Sequence, residues 1–252
     1  VVHVERMPSR IELLLASGRT CVARAVVLAP GLPPSRAPWT RVDHGVARSA
    51  LAADPWDAHA CDDLAAEDPV LVVGSGLTAI DIVLALRRRG HLGAITMISR
   101  NGRLPLPHAA GGPPMQLPAD AFAGGPRGAL AALRHAAQER LRAGLGWQGA
   151  VDAIRPHVTQ VWRSWTPAQR AQFLRLARPL WEIHRHRAPV AVLAEMEALR
   201  AAGTLEIIRG EIASLRPRDD GGVDAALRSP GGATVQRRAM RLFNCVGPAS
   251  SV

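Results

Sequence analysis

Six residues, Gly74-Ser75-Gly76-Leu77-Thr78-Ala79, have the types and the spacing to hold an anion on bare backbone. Glycine at 74 permits a tight turn, and glycine at 76 removes the Cβ that would keep a phosphate away from the main chain. Ala79, where a third glycine often stands, lets helix and strand pack closely. The free N–H groups of the first helical turn, with the positive end of the helix dipole, would then face the negative charge. A second set of residues is Ser99-Arg100-Asn101, with Arg103 close behind. A carboxylate at that place would accept hydrogen bonds from a ribose 2′-hydroxyl and repel a 2′-phosphate, and none is present. Arginine offers instead a planar fork of donors suited to phosphate. The two sets together point to a dinucleotide carrying a 2′-phosphate, NADPH in preference to NADH. Arg100 would sit on the 2′-phosphate with Ser99 assisting; the other reading of Arg100 is one more solvated cation in an arginine-rich chain.

The flanking residues supply the elements that must position these groups. Val70-Leu71-Val72-Val73 is a short apolar run that predicts a buried strand entering the glycine turn. Ile80, Ile82, Val83, Leu84 and Leu86 give the following helix an apolar face, and Arg87-Arg88-Arg89-Gly90 ends it with cations and a glycine stop. Residues 94–99, AITMIS, read as a second buried strand, completing a βαβ unit of the expected size. Leu104-Pro105-Leu106-Pro107-His108 then leads into a loop rich in glycine and proline up to about residue 126, placed where α/β folds carry ligand-binding loops. His108 closes the rigid proline segment and could touch a bound ligand or simply anchor the loop.

A long helical region is expected at about 127–202. Thr166-Pro167-Ala168-Gln169 is a capping box with proline at the first helical position. Phe173, Leu174, Leu176, Ala177, Leu180 and Trp181 give the helix that follows an apolar side, and Trp147, Trp162, Trp165 and Trp181 read as packing anchors. Trp181-Glu182-Ile183-His184-Arg185-His186-Arg187 concentrates charge, either to clamp phosphate or as a solvated helix end. Residues 205–208 predict a further parallel strand, residues 212–217, 223–229 and 233–237 a meander, and residues 240–245 a last strand. Near the beginning of the chain, residues 11–23 read as a β-hairpin about Ser17-Gly18-Arg19, followed by an apolar strand over 25–31 and a connector over 32–68.

Composition narrows the function classes. The 48% hydrophobic content of 252 residues suffices for a core, and no apolar run is long enough to span a bilayer. Three separated cysteines, Cys21, Cys61 and Cys245, form no C-x-x-C, so neither a dithiol centre nor a zinc site is expected. No secretory leader is visible, and a reducing, cytoplasmic setting is the expectation. The formal charge of +10 comes from scattered arginines without lysine or tyrosine. A nucleic-acid binder should show a basic stripe with stacking aromatics, so the charge is read as favouring an anionic small molecule.

The segments together resemble the two-dinucleotide-binding-domain flavoproteins, and most closely the FAD/NAD(P)-binding proteins related to flavin-dependent N-hydroxylating monooxygenases. In that family a strand ending Ala-Thr-Gly carries the chain from the FAD domain to the NADPH domain, and Val26-Val27-Leu28-Ala29-Pro30-Gly31 is similar to it, with proline in place of threonine. A second such strand returns the chain, and Phe243-Asn244-Cys245-Val246-Gly247-Pro248 looks like it. The resemblance implies an α/β fold: a Rossmann-like NAD(P)-binding domain over 68–210, with a helical insert at about 127–202. Edges of an incomplete FAD domain would flank it at 1–38 and 211–252, with a connector at 39–67. It implies two cofactors, NADPH at Gly74, Ser75, Gly76, Leu77, Thr78, Ser99 and Arg100, and FAD approached by Pro30, Gly31 and Gly247, with His108 near the cleft. It further implies hydride transfer from NADPH to flavin, followed in a monooxygenase by oxygen activation on a small-molecule substrate. No strand–glycine–helix unit precedes Val26, so the chain is expected to be a segment of a longer protein, completed by that protein's remaining FAD-domain segments and inactive alone. A non-catalytic NAD(P)-binding module is the alternative, and neither nucleic acid nor membrane is an expected partner.

Overall fold

The computed structural model describes residues 1–27, 39, 41–52, 54–57, 59–109 and 112–247. Two compact units divide the chain, Val1–Pro33 and Pro34–Val252. The first holds a three-stranded antiparallel sheet of β1 (His3–Arg6), β2 (Ile11–Leu14) and β3 (Thr20–Ala23) in that order. The predicted hairpin is β2–β3, with Leu13 opposite Cys21, and β1 extends it with His3 opposite Leu14.

The strands of the second unit are β4 (Leu51–Ala52), β5 (Val70–Val73), β6 (Ile95–Ser99), β7 (Leu205–Arg209), β8 (Glu211–Pro217), β9 (Val223–Arg228), β10 (Thr234–Ala239) and β11 (Arg241–Asn244). Five form a parallel sheet in the order β4-β11-β5-β6-β7, and β8, β9 and β10 form an antiparallel sheet. The parallel sheet is buried on both faces, which explains why its strands read as unbroken apolar runs. Alternation then sorts the side chains. Val70, Val72, Ile95, Met97 and Phe243 face one core, and Leu71, Val73, Ile98 and Leu242 face the other.

Helix α1 (Leu77–Arg88) covers the first face with Ala79, Ile80, Ile82, Val83, Leu84 and Leu86. Its end is a Schellman motif: the N–H of His91 donates to the Leu86 carbonyl at 3.1 Å and that of Gly90 to Arg87 at 3.0 Å, with Gly90 at φ +85°. Arg87 is no solvated cation. Its guanidinium donates to the carbonyls of His91, Gly93 and Thr204 at 2.6, 3.1 and 3.0 Å, tying the helix end to the loop before β7.

The second face is covered by the antiparallel sheet, through Ile212, Leu215, Val223, Ala225, Leu227 and Ala239. Residues 211–244 share a core with the parallel sheet and lie in one compact unit with it. The physical reason is the inward stripe of β8–β10, which finds its apolar partner on the face of β5 and β6 opposite α1. The connector also contributes more than linkage. Its β4 pairs with β11, Leu51 opposite Leu242, and the buried Arg241 guanidinium donates to the carbonyls of Ala60 and Asp62 at 2.5 and 2.8 Å.

Helices α2 (Gly125–Arg142), α3 (Gln148–Ala153), α4 (Val158–Ser164), α5 (Pro167–Leu176) and α6 (Arg178–Arg185) surround a separate core of Phe122, Ala129, Leu133, Ile154, Val161 and Trp165. The capping box at Thr166 is formed in both directions. The apolar run after it is two helices, because Pro179 starts a new one, and Leu176 and Leu180 face solvent. The last predicted part of the insert, α7 (Val190–Ala201), packs on the parallel sheet through the buried Met196. Among the described residues no helix is long and apolar enough to cross a membrane.

Candidate functional site

The parallel sheet has a switch point. From β5 the chain moves through β6 to β7 on one side, while β11 and β4 lie on the other. Open α/β sheets bind ligands outside the carboxyl ends of strands at such a point. Register brings those ends together here: Val73 is level with Asn244 on one neighbour and with Ile98 on the other, and Ser99 is opposite Arg209.

Gly74 leaves β5 at φ +124°, held by its N–H on the Ile98 carbonyl at 2.8 Å. A Cβ there would stand 2.9 Å from the Cys245 carbonyl oxygen, and that backbone is fixed by the Cys245 N–H on the Val73 carbonyl at 2.9 Å. Gly74 is therefore demanded by the fold. Gly76 differs. It has φ −82°, it is exposed, and a Cβ on it would meet nothing within 4 Å. This open position is the N-cap of α1, where no side chain caps the helix and no acidic residue stands in the first turn. Thr78 is half-buried in that turn, Leu77 is exposed, and Ala79 is fully buried against the sheet. An uncapped helix end with clear space before it and no carboxylate to oppose charge suits a pyrophosphate.

After β6 the chain makes a β-turn, Ser99-Arg100-Asn101-Gly102, closed by Gly102 N–H on the Ser99 carbonyl at 3.2 Å. Arg100 stands at its exposed corner, with Arg103 exposed just beyond. Gly102 is at φ +59°, and a Cβ on it would come 2.9 Å from Arg209 Cβ, so the end of β7 lies against the turn. Arg209 is a third exposed arginine at this edge that sequence reasoning missed; it lies outside the βαβ unit, and only the parallel register brings it there. Among the described residues no carboxylate pairs with Arg100, Arg103 or Arg209. The turn itself had a signal, since Asn-Gly marks turns.

The hydroxyls of Ser75 and Ser99 are both engaged. Ser75 Oγ is 2.7 Å from Ser99 Oγ and 2.7 Å from the Arg103 carbonyl oxygen, and Ser99 Oγ accepts from Gly102 N–H at 3.0 Å. Ser75 is buried and Ser99 half-buried. On the other side of Gly74, Asn244 is buried at the end of β11. Gly247 is exposed, with nothing within 4 Å of a Cβ. Burial, and secondarily the Asp81 carboxylate, pushes the Cys245 thiol up to about 12, so it is a neutral packing group.

The structure thus gathers Gly74, Ser75, Gly76, Leu77, Thr78, Ser99 and Arg100 at one carboxyl edge, with the end of β11 beside them. Pro30 and Gly31 lie outside the described residues. His108 is exposed; its backbone is laced to another segment, with His108 N–H on the Ala188 carbonyl at 2.8 Å and Ala188 N–H on Leu106 at 3.0 Å. In the charged segment, Arg187 bonds Asp152 at 2.6 Å and lies 5.9 Å over Trp147, and His184 meets Trp147 edge-on at 4.9 Å. Arg187 is therefore an internal staple of the helical part.

No protein-family model matches the chain, and no curated protein sequence matches it. Solved structures do. The ornithine N-hydroxylase of Kutzneria sp. 744, with reduced FAD, NADP+ and L-ornithine, is similar at a TM-score of 0.57 and 15% identity, over 98% of this chain and 53% of that one. The L-lysine 6-monooxygenase of Pseudomonas syringae gives 0.55 and 18%, over 96% and 49%. The cadaverine monooxygenase of Erwinia amylovora, bound to FAD, gives 0.54 and 14%, over 95% and 48%. The chain spans about half the length of these proteins. Over that half, its fold is the one shared by these ornithine, lysine and cadaverine hydroxylases and monooxygenases.

Proposed function

We propose that this chain is the NADPH-binding part of an FAD-dependent oxidoreductase of monooxygenase type. The observation that carries the reading is the pairing of two features on one sheet edge. One is the uncapped first turn of α1, with clear space at Gly76; the other is an exposed, carboxylate-free arginine turn after β6. The backbone N–H groups at Gly76, Leu77 and Thr78 would hold the pyrophosphate. Arg100 would hold the 2′-phosphate, with Arg103 and Arg209 raising the local positive potential. When bound, the nicotinamide supplies a hydride to the flavin of the same enzyme, and the protein's share is binding and orientation. Gly247, at the open end of β11, would approach FAD, the remaining contacts coming from other segments of the same protein. A small molecule is the proposed final substrate.

Calorimetric titration with NADPH and with NADH tests the assignment. NADPH should bind at least about tenfold more tightly, a difference of about 1.4 kcal/mol, and Arg100→Ala should abolish the preference. Equal affinity for the two nucleotides would remove the assignment of Arg100, and binding of neither would remove the nucleotide reading.

A further inference from the structure

The polar atoms between the glycine turn and the arginine turn allow their protons to be counted. The Arg103 carbonyl only accepts, so the hydroxyl of Ser75, 2.7 Å away, donates to it. The 2.7 Å contact between Ser75 and Ser99 must then use the proton of Ser99. Ser99 Oγ accepts in turn from Gly102 N–H at 3.0 Å. The series Gly102 to Ser99 to Ser75 to Arg103 is closed, with each hydroxyl donating once, and hydrogen bonds in such a series polarise one another. Neither serine keeps a proton for a phosphate oxygen, which needs donors. The series instead holds both ends of the segment that carries Arg100, with Ser99 at its start and Gly102 and Arg103 at its finish. Its anchor is Ser75, inside the glycine turn, 24 residues away in sequence.

We propose that Ser75 and Ser99 are positioning residues for nucleotide selectivity. Their hydroxyls brace the arginine turn against the glycine turn, so that the sites for pyrophosphate and 2′-phosphate keep a fixed separation. The inference rests on the NADPH reading above and alters one part of it: Ser99 acts through Arg100 and not by touching the phosphate. It also gives Ser75 a side-chain role where the glycine motif asks only for its backbone.

The test is calorimetric titration of wild type, Ser99→Ala, Ser75→Ala and Ser99→Thr with NADPH and NADH at one salt concentration. Removing either hydroxyl should weaken NADPH about tenfold and NADH less than about twofold, collapsing the preference. Ser99→Thr, which keeps a hydroxyl at the same atom, should restore it. Retained NADH binding shows that the alanine variants are folded, and Ser75→Ala probes the brace from its other end should Ser99→Ala fail to fold. An alanine variant that keeps the wild-type ratio, or one that loses both nucleotides equally, overturns the proposal while leaving the NADPH reading intact. Failure of wild type to bind either nucleotide, or to prefer NADPH, is read on wild type alone and removes both.

Discussion

Gly74 and Gly76 stand two residues apart in one motif, yet alanine at the two positions should do opposite things. At Gly74 a β-carbon must adopt φ +124°, a cost of about 1–3 kcal/mol. It also meets the Cys245 carbonyl oxygen at 2.9 Å, and the ladder bond from Cys245 to Val73 prevents retreat, which adds about 1–3 kcal/mol. Stiffening of the unfolded chain offsets about 0.4–1 kcal/mol. Gly74→Ala should therefore destabilise by about 3 kcal/mol, lowering the melting midpoint by about 6–12 °C for a domain of this size. At Gly76, with φ −82° and nothing within 4 Å, alanine should change stability by less than about 1 kcal/mol. Its methyl would occupy the space assigned to the pyrophosphate, so NADPH affinity should fall at least about tenfold. Thermal unfolding and calorimetry on the two variants separate the effects. A Gly76→Ala protein as unstable as Gly74→Ala, or one that binds NADPH like wild type, would refute the division of labour between the two glycines.

Two other expectations concern Arg241 and Cys245. Arg241→Ala should cost about 2–4 kcal/mol in urea unfolding and speed proteolysis near residues 60–62, because two carbonyls lose a buried charged donor; lysine, a single point charge, should rescue little. Cys245, with its thiol raised from 9.0 to about 12 chiefly by burial, should react with iodoacetamide at pH 8 about a thousandfold more slowly than an ordinary thiol. The folded state holds that proton more tightly than the unfolded chain, so its stabilising contribution is full below pH 9 and is lost as pH rises toward 12. The sequence contains no lysine or tyrosine to titrate in that window, and the fall in melting midpoint there should shrink in Cys245→Ala.

Where the chain satisfies its own local rules, the sequence is a good guide. Val70–Val73 is apolar throughout because both faces are covered, α1 shows its buried stripe and glycine stop, and Thr166 with Gln169 closes the expected capping box. Long-range pairings escape such rules. The two-residue β4 is too short for periodicity and exists because β11 offers it an edge. The alternation in β8–β10 announces an apolar face without naming what covers it. Arg87, Arg187 and Arg241 look like surface cations in an arginine-rich chain, but each is folded inward onto carbonyls or a carboxylate. At the candidate site, the glycine turn and Arg100 were legible as types at a spacing. The serine brace and Arg209 were not, because one depends on a contact 24 residues apart and the other on parallel register.

The most direct measurement is amide hydrogen exchange across the chain with and without saturating NADPH. The proposed binding mode predicts new protection at residues 74–79 at the start of α1 and residues 99–103 in the arginine turn, with smaller change at the end of β11. Protection only elsewhere, or a nucleotide that leaves both stretches exchanging as in the free chain, would contradict it.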